Sequence, residues 1–152
     1  MKTIEKSVLI WYSPAEMYKL VTAVADYPKF LPWCDHATVL ATHAGGMTAE
    51  IGISFGGIQQ TFVTENSHVE NAPGETRQVG MRLVKGPFSK LDGQWNFMPL
   101  GDGSQRACKI ELSLTYGFDN AALDLVVGPV FDTIAASLVD AFVKRAEEVY
   151  AA

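Results

Sequence analysis

The chain has few side chains of the types that perform acid, base or metal chemistry. Its three histidines, His36, His43 and His68, fall on or near the ends of predicted strands and in loops, without HxH or HExxH spacing. We interpret them as solvated surface residues. The sequence therefore predicts no metal site and no catalytic residue, and it favours a binding protein over an enzyme.

The two cysteines, Cys34 and Cys108, lie far apart without a CxxC pattern and without a histidine at ligand spacing. We interpret both as reduced, buried, small apolar residues. A Cys34 thiolate that acts with a partner distant in sequence is the alternative. No glycine-rich phosphate loop, dinucleotide fingerprint or acidic calcium loop is present, so no nucleotide or metal cofactor is expected.

The most unusual segment is aromatic and follows directly on a predicted helix. It runs from Val24 to Cys34, with prolines at positions 28 and 32 and with Tyr27, Phe30 and Trp33 at helical spacing. These rings must face an apolar surface. They either plug one end of a core or form the gate of an apolar cavity, and we expect the gate.

A ligand in such a cavity would need one or two polar atoms to orient it. Hydroxyl groups of Tyr27 and Tyr116, or an indole N–H of Trp33 or Trp95, are the candidates. Three basic residues are candidates for the cavity mouth, although solvated surface charge is the simpler interpretation: Lys85, Lys90 and Arg106.

Composition narrows the class of protein. The 152 residues are 48% hydrophobic and 19% charged, which is typical of one soluble domain, predicted here over residues 1–152. The net charge of −5 argues against binding to DNA or to bulk RNA. Without a targeting peptide or a long uninterrupted apolar run, we expect a cytoplasmic protein with at most transient membrane contact.

Hydrophobic periodicity predicts the elements. A strand over residues 3–11 precedes a helix from Ser13-Pro14-Ala15-Glu16 to about Val24, opened by a capping box. Six further strands are predicted at about 35–43, 47–56, 59–70, 76–85, 91–99 and 106–117, with glycine- or proline-containing turns between them, including 71–74 and 101–103. A long amphipathic helix follows over 121–150, and Gly128-Pro129 should bend or restart it.

This order predicts an α+β helix-grip fold: a curved antiparallel sheet of about seven strands wrapped around a long C-terminal helix, with short helices after the first strand. We expect a hydrophobic cavity between helix and sheet. The helix would supply Phe131, Ile134 and Leu138, and the sheet Phe55, Met81, Trp95 and Phe97. The full set of predicted ligand-binding residues is Tyr27, Phe30, Leu31, Trp33, Phe55, Met81, Leu83, Trp95, Phe97, Leu112, Phe131, Ile134 and Leu138.

Three blocks carry a family resemblance. They are residues 26–34 (DYPKFLPWC), residues 86–97 (GPFSKLDGQWNF), and the helical runs FDTIA at 131–135 and LVDAFVKRA at 138–146. Together and in this order, they resemble the coenzyme-Q-binding, polyketide-cyclase-like branch of the START (SRPBCC) superfamily. Bacterial members of this branch include the ribosome-association toxin.

The resemblance implies a helix-grip fold with a hydrophobic tunnel and ubiquinone or a similar prenylated lipid as its ligand, with no cofactor required. We expect a non-enzymatic carrier of this ligand that supports respiration. Two alternatives stay open: a toxin-like protein that binds the large ribosomal subunit and inhibits subunit association, and a polyketide cyclase or aromatase.

Overall fold

The computed structural model describes residues 1–72, 75–102 and 104–151. The two predicted turns at 71–74 and 101–103 lie partly outside these residues, because Pro73, Gly74 and Gly103 are not described. The elements are β1 (Lys2–Ile10), α1 (Pro14–Thr22), a 3₁₀ segment (Val24–Lys29), β2 (Cys34–His43), β3 (Gly46–Phe55), β4 (Ile58–Glu70), β5 (Arg77–Lys85), β6 (Phe88–Pro99), β7 (Cys108–Phe118) and α2 (Ala121–Tyr150).

The strands form one antiparallel sheet in the order β1-β7-β6-β5-β4-β3-β2. Each consecutive pair from β2 to β7 is a hairpin, and β1 adds to the far side of β7. Gly56 and Gly57 connect β3 to β4 with φ values of 59° and 80°, the left-handed conformation that a tight hairpin turn requires. The predicted helix-grip fold is confirmed.

The first helix begins with the predicted capping box. The backbone N–H of Glu16 donates to Oγ of Ser13 over 3.1 Å, and the N–H of Ser13 donates to Oε1 of Glu16 over 2.9 Å. The helix ends at Thr22, two residues before the predicted end, and the chain continues as the 3₁₀ segment. Pro28 lies inside this segment, where a proline lacks the backbone N–H donor and disfavours the hydrogen bonding of a regular α-helix.

The long helix α2 is continuous over 30 residues, so it does not restart at Gly128-Pro129. The alternative, a bend at this position, stays a prediction. Pro129 removes one hydrogen bond, to the carbonyl of Leu125. Because Leu125 is 79% exposed, water can replace that bond. By length and composition alone α2 is apolar enough to cross a membrane, as core helices of soluble proteins also are.

Two hydrophobic clusters fill the space between α2 and the sheet. The cavity cluster surrounds the middle of α2 and includes Leu31, Trp33, Cys34, Ala49, Ile51, Ile53, Phe62, Phe88, Leu91, Leu114, Tyr116, Phe131, Ile134 and Ala135. The packed cluster joins α1 to the C-terminal half of α2 and includes Ile10, Met17, Tyr18, Leu20, Val21, Val79, Trp95, Phe97, Cys108, Ile110, Leu112, Val139, Phe142 and Ala146.

Candidate functional site

An apolar cavity of about 80 Å³ lies between α2 and the inner face of the sheet. The 3₁₀ segment and the residues after it cover one side. Most of its wall comes from the cavity cluster, and Trp95 and Phe142 of the packed cluster also contribute to it. The lining residues are Val24, Tyr27, Leu31, Trp33, Ile51, Phe62, Thr64, Asn66, Met81, Leu91, Trp95, Leu114, Phe131, Ile134, Ala135, Leu138 and Phe142.

The structure brings many of the predicted ligand-binding residues to this wall. The three predicted helix residues lie on one side and two of the predicted sheet residues on the other. Those that line the cavity are Tyr27, Leu31, Trp33, Met81, Trp95, Phe131, Ile134 and Leu138. Their contact with a ligand stays a prediction.

Four other predicted residues lie outside the cavity wall. Phe97 and Leu112 face inward, as alternation requires, but they are at most 1% exposed within the packed cluster. Leu83 is half-buried at the edge of the cavity cluster. Phe30 is not in the cavity wall and packs edge-on against Phe142, with a ring-centroid distance of 5.2 Å. Alternation determines the face of a strand but not whether neighbouring side chains leave a space.

The inward position predicted for Phe55 is wrong. Ala49, Ile51 and Ile53 on the same strand are buried, whereas Phe55 is 43% exposed. Phe55 is the last residue of β3 and pairs with Ile58 across the hairpin. The sheet therefore continues past its buried part at this end, and alternation alone cannot show where the cover stops.

The segment over the cavity is held by aromatic contacts and by hydrogen bonds, among them one from the side chain of Tyr27. The hydroxyl of Tyr27 donates to the carbonyl of Val21, and the Tyr27 ring lies edge-on to Phe142 at 5.4 Å. Burial raises the pKa of Tyr27, so its hydroxyl stays protonated. Phe30 lies outside this layer, with the guanidinium of Arg145 5.1 Å above its ring.

Sequence reasoning missed the two buried polar residues in the wall, Thr64 and Asn66. They are 2% and 6% exposed, and the hydroxyl of Thr64 donates to Oδ1 of Asn66 over 2.8 Å. Both lie in β4, where residues 62, 64 and 66 face inward. Alternation from Phe62 would have placed them there, but faces were assigned from apolar residues alone.

Tyr116 is not in the cavity wall, although its hydroxyl was a candidate for orienting a ligand. It is 1% exposed and donates a hydrogen bond to Asp132, which also forms a 2.6 Å ion pair with Lys2. Lys2 and Tyr116 lower the pKa of Asp132 although partial burial opposes them. The contacts among Lys2, Tyr116 and Asp132 hold β1 and β7 to the middle of α2.

Two of the three histidines are solvated, as predicted, and the third is not. His36 lies 2.9 Å from Asp35 and His43 pairs with Glu65, with 42% and 43% of their side chains exposed. His68 is a correction: it is half-buried within β4, edge-on to the Tyr18 ring, and its Nε2 is enclosed without a hydrogen-bond partner. Burial lowers the pKa of His68, which keeps the ring neutral near pH 7.

Neither cysteine has the environment of a nucleophile. Both are buried and free. Burial raises the pKa of Cys34 to about 11 and that of Cys108 to about 12, so both thiols are protonated at neutral pH. Within residues 1–72, 75–102 and 104–151, no group of three histidine, cysteine or acidic side chains is placed to hold a metal ion.

The basic residues considered for the cavity mouth lie on the surface. Lys85 and Lys90 are exposed, and Lys90 lies 3.4 Å from Asp92. Arg106 instead forms a two-pronged contact with Glu16, at 2.9 and 2.7 Å, which joins the β6–β7 connection to the start of α1. No charged residue occurs among the described residues of the cavity wall.

Comparison with known proteins gives consistent results. Residues 10–143 match the family model described as polyketide cyclase / dehydrase and lipid transport. The chain is 43% identical, over all of its 152 residues and 91% of the relative, to the protein named Ribosome association toxin RatA of Escherichia coli K12.

A more distant relative is the Coenzyme Q-binding protein COQ10 homolog B of Xenopus laevis, 27% identical over 95% of this chain and 58% of that protein. The crystal structure of the Zhui aromatase/cyclase from Streptomyces sp. R1128 has a TM-score of 0.79 over 96% of this chain and 93% of that one, at 14% identity, and so shows the fold alone. The chain belongs to the polyketide cyclase / dehydrase and lipid transport family.

Proposed function

We propose that this protein binds a neutral, hydrophobic small molecule between α2 and the sheet, and that the ligand is an isoprenoid quinone such as ubiquinone. The apolar cavity carries this proposal: it lies where the fold predicts a tunnel, and its described wall has no charged group. Burial of a prenyl chain contributes about 25 cal/mol per Å² of apolar surface, so two isoprene units supply several kcal/mol without a catalytic group.

The volume of the cavity requires that the site open when a ligand binds. At about 80 Å³ it is smaller than the ~150 Å³ apolar cavities that hold benzene in other proteins. The 3₁₀ segment is the part suited to move, since it connects α1 to β2 and lacks the full hydrogen bonding of an α-helix. We infer that Tyr27 of this segment, together with Leu31 and Trp33 after it, forms the inner, ligand-facing side of the cover.

The choice of a quinone is supported by the family. A relative that matches 95% of this chain is named a coenzyme-Q-binding protein. A cytoplasmic carrier that contacts the membrane transiently would fit this role, and we propose that location. The exposed Leu125 and Val126 of α2 are apolar residues available for such contact.

The proposal is tested by extraction and by filling the cavity. Organic extraction of the purified protein should release a prenylated quinone, identified by mass spectrometry. Ala135→Leu places a larger side chain in the wall where Ala135 is fully buried, so it should abolish titration with a decyl-substituted benzoquinone without lowering stability. Phe55→Ala, outside the wall, is the matched control. Unchanged quinone binding by the filled variant would contradict the proposal.

We propose as a second function that the protein associates with the large ribosomal subunit. The observation that favours it is the whole-length similarity to proteins named ribosome association toxin. A net charge of −5 requires a local contact rather than general attraction to RNA. Saturable cosedimentation with purified large subunits, retained by the Ala135→Leu variant and with no lipid extracted, would place this function above ligand transport. Absence of cosedimentation at any salt concentration would contradict it.

The polyketide cyclase alternative rests on similarity of fold. The polar side chains described in the wall are the hydroxyls of Tyr27 and Thr64, the amide of Asn66 and two indoles, and the Tyr27 hydroxyl is already bonded to the carbonyl of Val21. These groups orient a ligand more readily than they transfer its protons.

A further inference from the structure

We propose that Thr64 and Asn66 select neutral ligands that carry a hydrogen-bond-accepting carbonyl, which the amide of Asn66 binds beside Met81. This inference rests on the proposed ligand-binding function and names the polar group by which the cavity recognises its ligand.

The first observation is a buried polar pair in an apolar wall. Thr64 and Asn66 are the two polar residues buried to this degree among those that the structure describes, and both face the cavity. Thr64 and Asn66 satisfy part of their hydrogen bonding with each other. A donor left unmet in an apolar wall still costs about 1–3 kcal/mol, so the fold alone would favour apolar residues at these positions. Their burial is explained if they bind a polar group that enters the cavity.

The second observation is how the pair is oriented. The hydroxyl of Thr64 donates to Oδ1 of Asn66 over 2.8 Å. This bond engages the acceptor side of the amide and leaves the two N–H donors of Nδ2 unused by Thr64. A group that completes the arrangement must therefore be an acceptor.

The third observation is that the wall beside Asn66 can widen. Asn66 pairs with Met81, Met81 with Gly93, and Gly93 with Leu114, so these four residues form one row across the inner face. A Cβ atom at Gly93 would lie 2.5 Å from Cε of Met81 and 3.2 Å from Cδ1 of Leu114. The methyl group of Met81 therefore occupies the space that the missing side chain leaves.

Methionine is unbranched and changes rotamer readily, so Met81 can withdraw without movement of the backbone. A flat ring then fits over Gly93, with Met81 and Leu114 at its sides and a carbonyl directed at Asn66. This widening adds to the opening of the 3₁₀ segment and places the ring next to the polar pair.

The charge of the wall restricts the ligand further. A carboxylate or phosphate in this cavity would be a buried, unpaired charge, because the described wall supplies no cation. A neutral carbonyl compound such as a quinone or a ketone is thus preferred over a fatty acid, and over a pure hydrocarbon that leaves the donors of Asn66 unpaired.

The test compares three probes with the same ten-carbon chain: a decyl-substituted benzoquinone, decylbenzene and decanoate. Displacement of the fluorescent probe N-phenyl-1-naphthylamine reports all three affinities. We expect the wild-type protein to bind the quinone about tenfold more tightly than decylbenzene. Asn66→Leu should remove this preference, because the quinone loses its hydrogen-bond donor and decylbenzene no longer leaves an amide unpaired.

The matched control is Asn96→Leu. Asn96 is a half-buried asparagine on the outer face of β6, where its Oδ1 accepts hydrogen bonds from Gln78 and Gln94. This variant should keep the preference. Thr64→Val, which no longer orients the amide, should reduce the preference several-fold, whereas Thr64→Ser should retain it. If Asn66→Leu does not fold, the comparison of Thr64→Val with Thr64→Ser tests the inference in its place.

A spectroscopic measurement separates recognition from a purely structural role. The infrared carbonyl stretch of the bound quinone should shift to lower frequency in the wild-type protein and return toward its unbonded value in Asn66→Leu. Equal affinities for quinone and decylbenzene, or a preference that survives Asn66→Leu, would overturn the inference and leave ligand binding intact. Failure of all three probes to bind would overturn the proposed function itself.

Discussion

The two halves of the interior are built from the same kinds of residues, yet the apolar cavity lies mostly against one of them. The packed cluster fills the region between α1 and the C-terminal half of α2, with Met17, Phe97 and Ile110 fully buried. The cavity cluster covers the middle of α2 and supplies most of the lining of the cavity.

The difference follows from what covers each half. The capped helix α1 covers the packed cluster and is fixed by Arg106 and by the hydroxyl of Tyr150, which donates to the carbonyl of Glu16 over 3.0 Å. The cavity cluster is covered by the 3₁₀ segment and the residues that follow it. One proline lies within the segment, at position 28, and another after it, at position 32. A regular helix with fixed ends stabilises one half, and a short irregular cover leaves the other able to open.

The largest effect is expected when one phenylalanine in each half is replaced by alanine. Phe97→Ala should lower the free energy of unfolding by about 3–5 kcal/mol, because Phe97 is fully buried and stacks on Trp95. Phe62→Ala, in the cavity wall, should cost at least about 1 kcal/mol less, since a side chain beside a space has fewer neighbours to lose. Chemical denaturation measures both. Equal losses would show that the two halves are equally well packed.

The second prediction concerns ligand affinity, which should depend more on the cavity cluster than on the packed cluster. Trp33→Ala should weaken binding of the decyl-substituted benzoquinone at least about tenfold while destabilising the protein less than Phe97→Ala does, because Trp33 contacts the cavity from its cover. Trp11→Ala is the control, since Trp11 is 78% exposed and should change neither quantity. A stability loss of several kcal/mol with unchanged affinity would make Trp33 a packing residue.

The sequence predicted the fold well because each element is specified locally. Alternation in the strands, the capping box at Ser13 and the turn at Gly56-Gly57 each depend on a few neighbouring residues. The element order then leaves one sheet and one long helix to cover it. A boundary moved at Thr22, where the 3₁₀ segment replaces the predicted end of the helix, and the restart predicted at Gly128-Pro129 does not occur.

The candidate site was less predictable, since a cavity is a property of packing in three dimensions. Trp95 and Phe97 have the same parity on β6, yet Trp95 lines the cavity and Phe97 does not. Thr64 and Asn66 were missed because a search for inward apolar residues passes over inward polar ones. Phe55 was misplaced because parity carries no information on where α2 stops covering the sheet.

The third prediction concerns the ion pair that fixes the cover of the packed cluster. The hydrogen bond from Arg106 is the main cause that lowers the pKa of Glu16, to about 2 from 4.5. As the pH falls, Glu16 therefore becomes protonated in the unfolded chain before it does so in the folded protein. The stabilisation by the ion pair is complete above about pH 4.5 and is lost as the pH falls toward 2.

Glu16→Gln should accordingly lower the free energy of unfolding by about 1–2 kcal/mol at pH 7, and the difference from the wild type should vanish near pH 2. Denaturation at several pH values measures this. Glu111→Gln is the control: Glu111 pairs with Lys109 over 3.6 Å at the surface, and its loss should cost less than about 0.5 kcal/mol. Quinone affinity should be unchanged in both variants, and a parallel loss of affinity in Glu16→Gln would show that the two halves open together.

The smallest expected effect involves no substitution and leaves stability unchanged. Cys34 follows the cover of the cavity cluster and Cys108 lies in the packed cluster, so each thiol reports the opening of one half. Because burial raises both pKa values, alkylation by iodoacetamide at pH 8 should be slow at each site in the native protein. Cys34 should nonetheless react at least about tenfold faster than Cys108, since the 3₁₀ segment opens locally while α1 opens only with wider unfolding.

Peptide mass spectrometry resolves the two alkylation rates. Denatured protein, in which the two rates should converge, is the control. Bound quinone should slow Cys34 alone, whereas equal native rates would mean that the cover of the cavity does not open independently of the rest of the fold.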